Sequence, residues 1–376
     1  MPLDSLEFRT SLQRLLVGLI LILVPLTVFG FYVALQGDSY VRQMNGDHFR
    51  TLTRISAEVT SRFVGEFVKD VGAIASSPSV VQAVTSANRP YENLGEEAVR
   101  SKVDAIEKKW NTSEADALSR SVLTSDLARE LRRERELNAE LLKITVAGIS
   151  GATVAATDKP LHYFQTDREY WRLLYSQGQG AIHVSDLHYD AQNRLYYVSV
   201  AYPVLQEGTG RFIGAVTALV DLSPLFAQLN GQRIGRTGRL FLVRDDGLVI
   251  QAPGVTPGMK IKSEEYAAIR DVMGTLRGRE AGYIYATLPK GESYLIGFAD
   301  TGLREAYPSL PWIVLASQEE REAVGPVRSM AGFGLFMVIV ALMMMMLLGA
   351  YVFLHRKQKL EDIETPPEDN RRPAAS

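Results

Sequence analysis

Residues 195–222 read LYYVSVAYPVLQEGTGRFIGAVTALVDL. Two runs rich in Val, Tyr, Phe and Ile flank the glycine-bearing stretch QEGTG, the pattern of two long antiparallel strands joined by a turn. In YVSVAY, alternation puts Tyr197 and Ser199 on one sheet face and Tyr196, Val198 and Val200 on the other; either face could meet a pocket. Just downstream, SPLFAQLN resumes a helix with Ser223 as N-cap. Upstream, ITVAGISGATVAAT (144–157) reads as a hairpin around Gly148 to Gly151, and Asp167 to Leu174 as a helix.

A second cycle of the same kind follows Gly235. RLFLV and LVIQA flank the turn Arg244-Asp245-Asp246-Gly247, and Ser263–Leu276 is helical. GYIYATL, the turn Pro289-Lys290-Gly291, SYLIGFA and PWIVLAS (311–317) complete it. Helix and antiparallel strands, twice, predict an α+β chain of two stacked units. Toward the N-terminus, Phe49, Leu52, Ile55, Val59, Phe63, Phe67, Val71 and Ile74 recur every three or four residues, the stripe of one long amphipathic helix. It starts at a Gly37-Asp38 N-cap or continues the apolar run before it for about 40 residues, about 60 Å, until Ser77-Pro78. Two more helical stretches are expected at Leu94–Trp110 and Ala115–Leu142, the latter with a charged, solvated face.

Two uncharged runs bracket this region, Leu15–Leu35 and Ser329–Leu354. A bilayer core about 30 Å thick needs about 20 apolar helical residues, so each is long enough to span. The first is too long for an ordinary signal-peptide core and lacks a small-residue cleavage site, which points to an uncleaved anchor. Arg9 and Arg14 before the first run, and His355, Arg356, Lys357 and Lys359 after the second, place both termini in the cytoplasm. Residues 36–328 are then extracytoplasmic, and the charged tail 355–376 is too short and polar to bury a core.

The composition excludes several classes. The 376 residues carry 41 Lys+Arg against 43 Asp+Glu, a balance without the basic excess of a nucleic-acid binder. There is no cysteine, and the 5 histidines show no metal-ligand spacing, so neither metal nor cofactor is expected. GISGA and GRTGR lack phosphate-loop spacing and no GxSxG occurs, so no catalysis is read here.

Four segments together resemble the double Cache extracellular sensor domain of bacterial transmembrane chemoreceptors and sensor kinases. They are IASSPSVVQAV; DREYW with SDLHYDAQNRLYYVSVAYPV and GRFIGAVTALVDLSPL; IGRTGRLFLVRDDGLVIQAP; and GESYLIGFAD with PWIVLASQEEREAVGPVRSM. The resemblance implies two stacked PAS-like modules on a long stalk helix. Residues 1–14 are then cytoplasmic, 15–35 the first span and 36–142 the stalk and helical region. Residues 143–233 form a membrane-distal module, 234–328 a membrane-proximal one, 329–354 the second span and 355–376 the tail. It also implies a small ligand in the distal module and a homodimer, with the Phe49–Ile74 stripe as seam; packing of that stripe on the chain's own sheets is the alternative.

Carried over residue by residue, the resemblance names Arg168, Tyr170 and Trp171 against a ligand carboxylate, and Asp190 against an amine, with His188 where Tyr is common. Tyr189, Tyr197 and Thr217 complete the candidate set. The acidic residue expected before VDLS falls at Leu219, which argues against a free α-amino acid. From the residues alone, Arg168 suits a bidentate carboxylate contact or a surface pair with Asp167 or Glu169, and Trp171 suits a ligand wall or the helix-to-sheet core. His183 and His188 are read as a source of pH sensitivity or, more simply, as solvated or satisfied loop residues. The expectation is a sensor that binds a small solute and signals through a separate partner protein, since too little chain follows the second span for an output domain. The other reading is an accessory membrane protein that uses the same scaffold to hold a neighbour.

Overall fold

The computed structural model describes residues 4–166, 169–255, 260–275, 281–325 and 336–351. The chain falls into two compact units, Gly46–Glu319 and the combined ends Met1–Asn45 with Glu320–Ser376. Helix α1 (Asp4–Ala75) passes through Gly37 and Asp38 unbroken, so the expected N-cap there is absent and the helix continues the apolar run. Within the end unit, Arg42 pairs with Glu320 and Asn45 Nδ2 donates to the Ala323 carbonyl at 2.7 Å. Of the second apolar run, residues 336–351 are described and are helical. Among the described residues no helix is long and apolar enough to cross a membrane.

Ser77-Pro78 is a cap as well as a stop. Ser77 Oγ accepts from the Val80 amide at 3.4 Å, and Pro78 opens α2 (Pro78–Asn88), where its missing N–H costs no helical bond. Next come α3 (Glu96–Trp110), α4 (Asp116–Thr124) and α5 (Asp126–Leu137). The single helix expected over 115–142 is cut at Ser125, which is extended (ψ 160°) and caps α5 by accepting from Ala128 N at 3.1 Å.

The first sheet contains β1 (Leu141–Gly148) and β2 (Thr153–Ala156). After α6 (Glu169–Tyr175) come β3 (His183–Val184), β4 (His188–Asp190), β5 (Leu195–Leu205) and β6 (Phe212–Asp221). Its order is β2-β1-β6-β5-β3, with β4 also paired to β5, and every pairing is antiparallel. The short β3 and β4 are too brief to show a period in sequence. In α7 (Ser223–Gly231), Ser223 is the first helical residue rather than the cap, and Asp221 Oδ1 accepts from its amide at 2.8 Å.

The second sheet holds β7 (Arg239–Arg244), β8 (Val249–Gln251), then after α8 (Glu264–Thr275) β9 (Ala281–Thr287) and β10 (Ser293–Asp300). After α9 (Leu303–Ala306) β11 (Trp312–Glu319) completes it. The order is β8-β7-β11-β10-β9, again antiparallel. The architecture is thus α+β, with a long N-terminal helix and two antiparallel sheets.

Helix α1 packs on both sheets where glycine permits. A Cβ at Gly72 would stand 2.8 Å from the Tyr202 ring of the first sheet, and one at Gly297 would stand 2.9 Å from the Phe49 carbonyl oxygen. The buried line on α1 runs Phe49, Thr53, Ser56, Thr60, Val64, Val68, Val71. The expected stripe is therefore divided: Phe49, Phe67, Val71 and Ile74 are buried in the chain's own core, while Ile55 is 50% exposed. Three hydroxyl residues hold the packed line because Thr53 and Thr60 donate back to the Phe49 and Ser56 carbonyls, at 2.9 and 2.8 Å, and Ser56 Oγ reaches Gln232 Oε1.

Candidate functional site

The two faces of the first sheet have different fates. On one, Val198 pairs with Val220 and Val200 with Ala218, all at most 1% exposed. Val84 of α2 and Phe226 of α7 cover this face, the latter edge-on to Tyr196 at 5.0 Å.

The opposite face carries Tyr197 across from Asp221, Ser199 from Leu219 and Ala201 from Thr217, and β1 adds Thr145 beside Thr217. Its flanks are closed. Trp171 and Leu174 of α6 pack on Ala147, Ala201, Phe212 and Ala215. On the other side Trp110 and Val122, from α3 and α4, pack with Ala152, Ala156, Tyr163 and Phe164. Between these two clusters Thr145, Ser199, Thr217 and Leu219 stay half-buried. A half-buried strip with three hydroxyls, between apolar walls, has the make-up of a small-ligand site: shape from the walls, orientation from a few polar groups.

The residues singled out in the sequence divide around this strip. Thr217 is at its centre. Tyr197 and His188 lie on the same face and stack at 5.3 Å. Tyr170 stands at the edge, its ring parallel to His183 at 6.3 Å and its hydroxyl donating to Gln165 Oε1 at 3.0 Å. Trp171 is 7% exposed and edge-on to Phe212 at 5.8 Å, so of its two readings the structure shows the core. Tyr189 points to the other face, against Tyr196 at 4.9 Å. Asp190 closes the β4–β5 turn, accepting from Gln192 N, Asn193 N and Asn193 Nδ2 at 2.9, 3.2 and 2.7 Å. The Asn193 side-chain and backbone bonds hold its carboxyl below the usual range. Arg168 lies outside the described residues.

Thr145, Ser199 and Asp221 join the strip without having been singled out. The signal was the two-residue period, which carries Thr217 through Leu219 to Asp221. Leu219, where an acid was expected, is on this face, and Asp221 lies two residues later, opposite Tyr197. Among the described residues no group of three or more His, Asp or Glu side chains could hold a metal ion.

The two sheets and the long helix agree with a comparison over the same region: the Cache domain family model dCache_1 matches residues 42–327. The chain belongs to the Cache domain family. Among solved structures similar to this Cache chain are three ligand-binding domains. The amino acid chemoreceptor PctB of Pseudomonas aeruginosa PAO1, with L-Gln, is 16% identical with a TM-score of 0.43, covering 74% of this chain and 92% of that one. That of Pseudomonas fluorescens CtaA with L-isoleucine is 13% identical, TM-score 0.46, covering 76% and 97%. That of Campylobacter jejuni Tlp3 with 4-methylisoleucine is 10% identical, TM-score 0.48, covering 75% and 94%. At such scores the likeness adds nothing to the family match. No curated protein matches the Cache chain in sequence.

Proposed function

We propose that this Cache chain is a membrane-anchored extracytoplasmic sensor that binds a small amine- or carboxylate-bearing solute on the strip of the first sheet. The observation that carries the reading is the strip itself, Thr145, Ser199 and Thr217 half-buried between two apolar clusters in a chain of a sensor-domain family. Asp221 and Tyr197 meet a cationic end of the ligand, and Arg168 and Tyr170 its carboxylate. The module of residues 143–233 is membrane-distal and that of 234–328 membrane-proximal. Leu15–Leu35 and Ser329–Leu354 anchor the chain with both termini cytoplasmic, as a homodimer that acts on a separate partner protein. It works by binding, not catalysis: a ligand moves its conformational equilibrium only by differential affinity for the two states.

The test is a thermal-shift screen of the detergent-solubilised full chain against amino acids, other carboxylates, amines, purines and sugars. At 100 times its dissociation constant a ligand adds about 2.7 kcal/mol, which raises the midpoint visibly. A hit that disappears in Thr217→Val and in Arg168→Ala supports the reading. A hit untouched by both substitutions sinks it, as does a folded chain that answers none of the panel and co-purifies with a protein bound to residues 36–328.

A further inference from the structure

Tyr170, proposed to meet the ligand carboxylate, already has its proton engaged. Its hydroxyl donates to Gln165 Oε1 at 3.0 Å. The Gln165 amide is held in that orientation, because its Nε2 donates to the His162 carbonyl at 2.8 Å. A phenol carries one proton, and an ionised carboxylate only accepts. Gln165 Oε1 and a ligand carboxylate therefore compete for the same O–H.

The competitor is fixed from two sides. Glu107 of α3 accepts from the Tyr163 and Phe164 amides on Oε2, at 2.7 and 2.9 Å, and its Oε1 lies 2.8 Å from His162 Nδ1. Toward the β1–β2 hairpin, Gln165 N donates to the Gly151 carbonyl at 2.9 Å and Thr153 N to that of Tyr163 at 3.1 Å. Residues 162–165 are thus clamped between α3 and the hairpin, so Gln165 stays in place when the Tyr170 hydroxyl turns away. We infer, on the reading of the strip as the ligand site, that Gln165 is a specificity-determining residue: an acceptor built into the protein that stands in for the ligand carboxylate on Tyr170 and lowers affinity for it. The charged carboxylate is the stronger acceptor and takes the proton. One hydrogen bond is lost when it does, and Gln165, itself half-buried, gives up its donor. A ligand group that donates at this point has no such bond to break.

The experiment is calorimetric titration of the full chain in detergent with acetate, propionate, succinate, glutarate and benzoate. Saturable binding of at least one is expected, and the tightest serves as probe. Gln165→Leu is close in size and keeps the backbone bond to Gly151. It should tighten the probe about two- to tenfold, the factor for one neutral hydrogen bond that no longer has to break. Gln165→Glu, which holds the hydroxyl harder and repels an anion, should weaken it. In a Tyr170→Phe background the gain from Gln165→Leu should vanish, because the shared proton is gone. A merely structural role predicts the opposite sign, since a looser segment weakens binding. The inference is overturned if none of the five binds, if Gln165→Leu binds no tighter than wild type, if Gln165→Glu tightens the probe, or if the gain survives Tyr170→Phe. No carboxylate binding, together with an amine or sugar response that Thr217→Val abolishes, leaves the strip as the site and sinks only the role of Gln165. A carboxylate response untouched by both Thr217→Val and Tyr170→Phe sinks the strip itself.

Discussion

In the second sheet, the face turned from α1 is closed by α8: Tyr266 and Ile269 pack on Phe241, Val243, Ile296, Phe298, Ile313 and Leu315. In the first sheet, α6 and the α3–α4 pair cover only the flanks of the corresponding face, and a strip of hydroxyls is left between them. Both sheets are antiparallel and both rest on α1, so neither topology nor support separates them. What differs is the covering helix and the residues beneath it. Large aliphatic and aromatic side chains under α8 make a core, whereas Thr145, Ser199 and Thr217 form a half-buried polar strip. The half-open face costs some apolar burial.

The sharpest way to break this contrast is to open the closed face. Phe298 is 1% exposed, and Phe298→Ala should cost about 3–5 kcal/mol of stability in urea unfolding. The ligand response of the first sheet should persist under conditions where the variant remains folded. Trp171→Ala should cost about 3 kcal/mol for the same reason, while Trp171→Phe should retain ligand binding. Loss of binding in a stable Trp171→Phe protein would return that residue to the ligand wall.

The next effect is electrostatic. Glu265, in the first turn of α8, is 3% exposed, paired with Arg239 and accepting from Ser263 Oγ at 2.8 Å. Burial pushes its carboxyl up, but Arg239, the backbone amide and Ser263 together outweigh burial and hold it below the usual range. A carboxyl lowered by folding stabilises the protein above its unfolded pKa, and that gain is lost as pH falls through the folded value. Stability should therefore drop below about pH 4. Glu265→Gln should cost about 2–3 kcal/mol at pH 7 and flatten that acid limb, read by thermal melts from pH 7 to 3. An unchanged acid limb would remove Glu265 from the account.

The smallest change in stability belongs to the open face. Thr217→Val replaces a half-buried hydroxyl by a methyl on a strand, and should shift stability by less than about 1 kcal/mol while abolishing the ligand-induced rise in midpoint. If it costs several kcal/mol instead, the strip is core and the contrast between the sheets disappears.

Most elements were legible because their periods are strong. The β5–β6 hairpin, the β7–β8 turn at Arg244–Gly247 and the α1 stripe all carry several matched repeats. Elements set by one or two residues were not. The break at Ser125 depends on one side-chain cap, and β3 and β4 exist only because β5 offers them partners. The placement of the residues singled out was legible in part for the same reason. Thr217, Tyr197 and His188 share the strip's face, but Tyr189 alternates away and Asp190 is held by its own turn.

The sequence by itself determined most of the order of helices and strands and the repeat of the cycle, since both follow from local periodicity, and the resemblance of four segments in their order named the family. Only the tertiary structure decided which face of the first sheet is core, that Asp221 lies opposite Tyr197, and which part of the α1 stripe is buried. Those outcomes depend on what packs from far along the chain: Val84, Phe226 and Trp171 arrive from different helices, and Gly72 and Gly297 set how closely α1 approaches. Alternation puts two sets of side chains on opposite faces with equal right to be buried, and it takes the covering helices to break the tie.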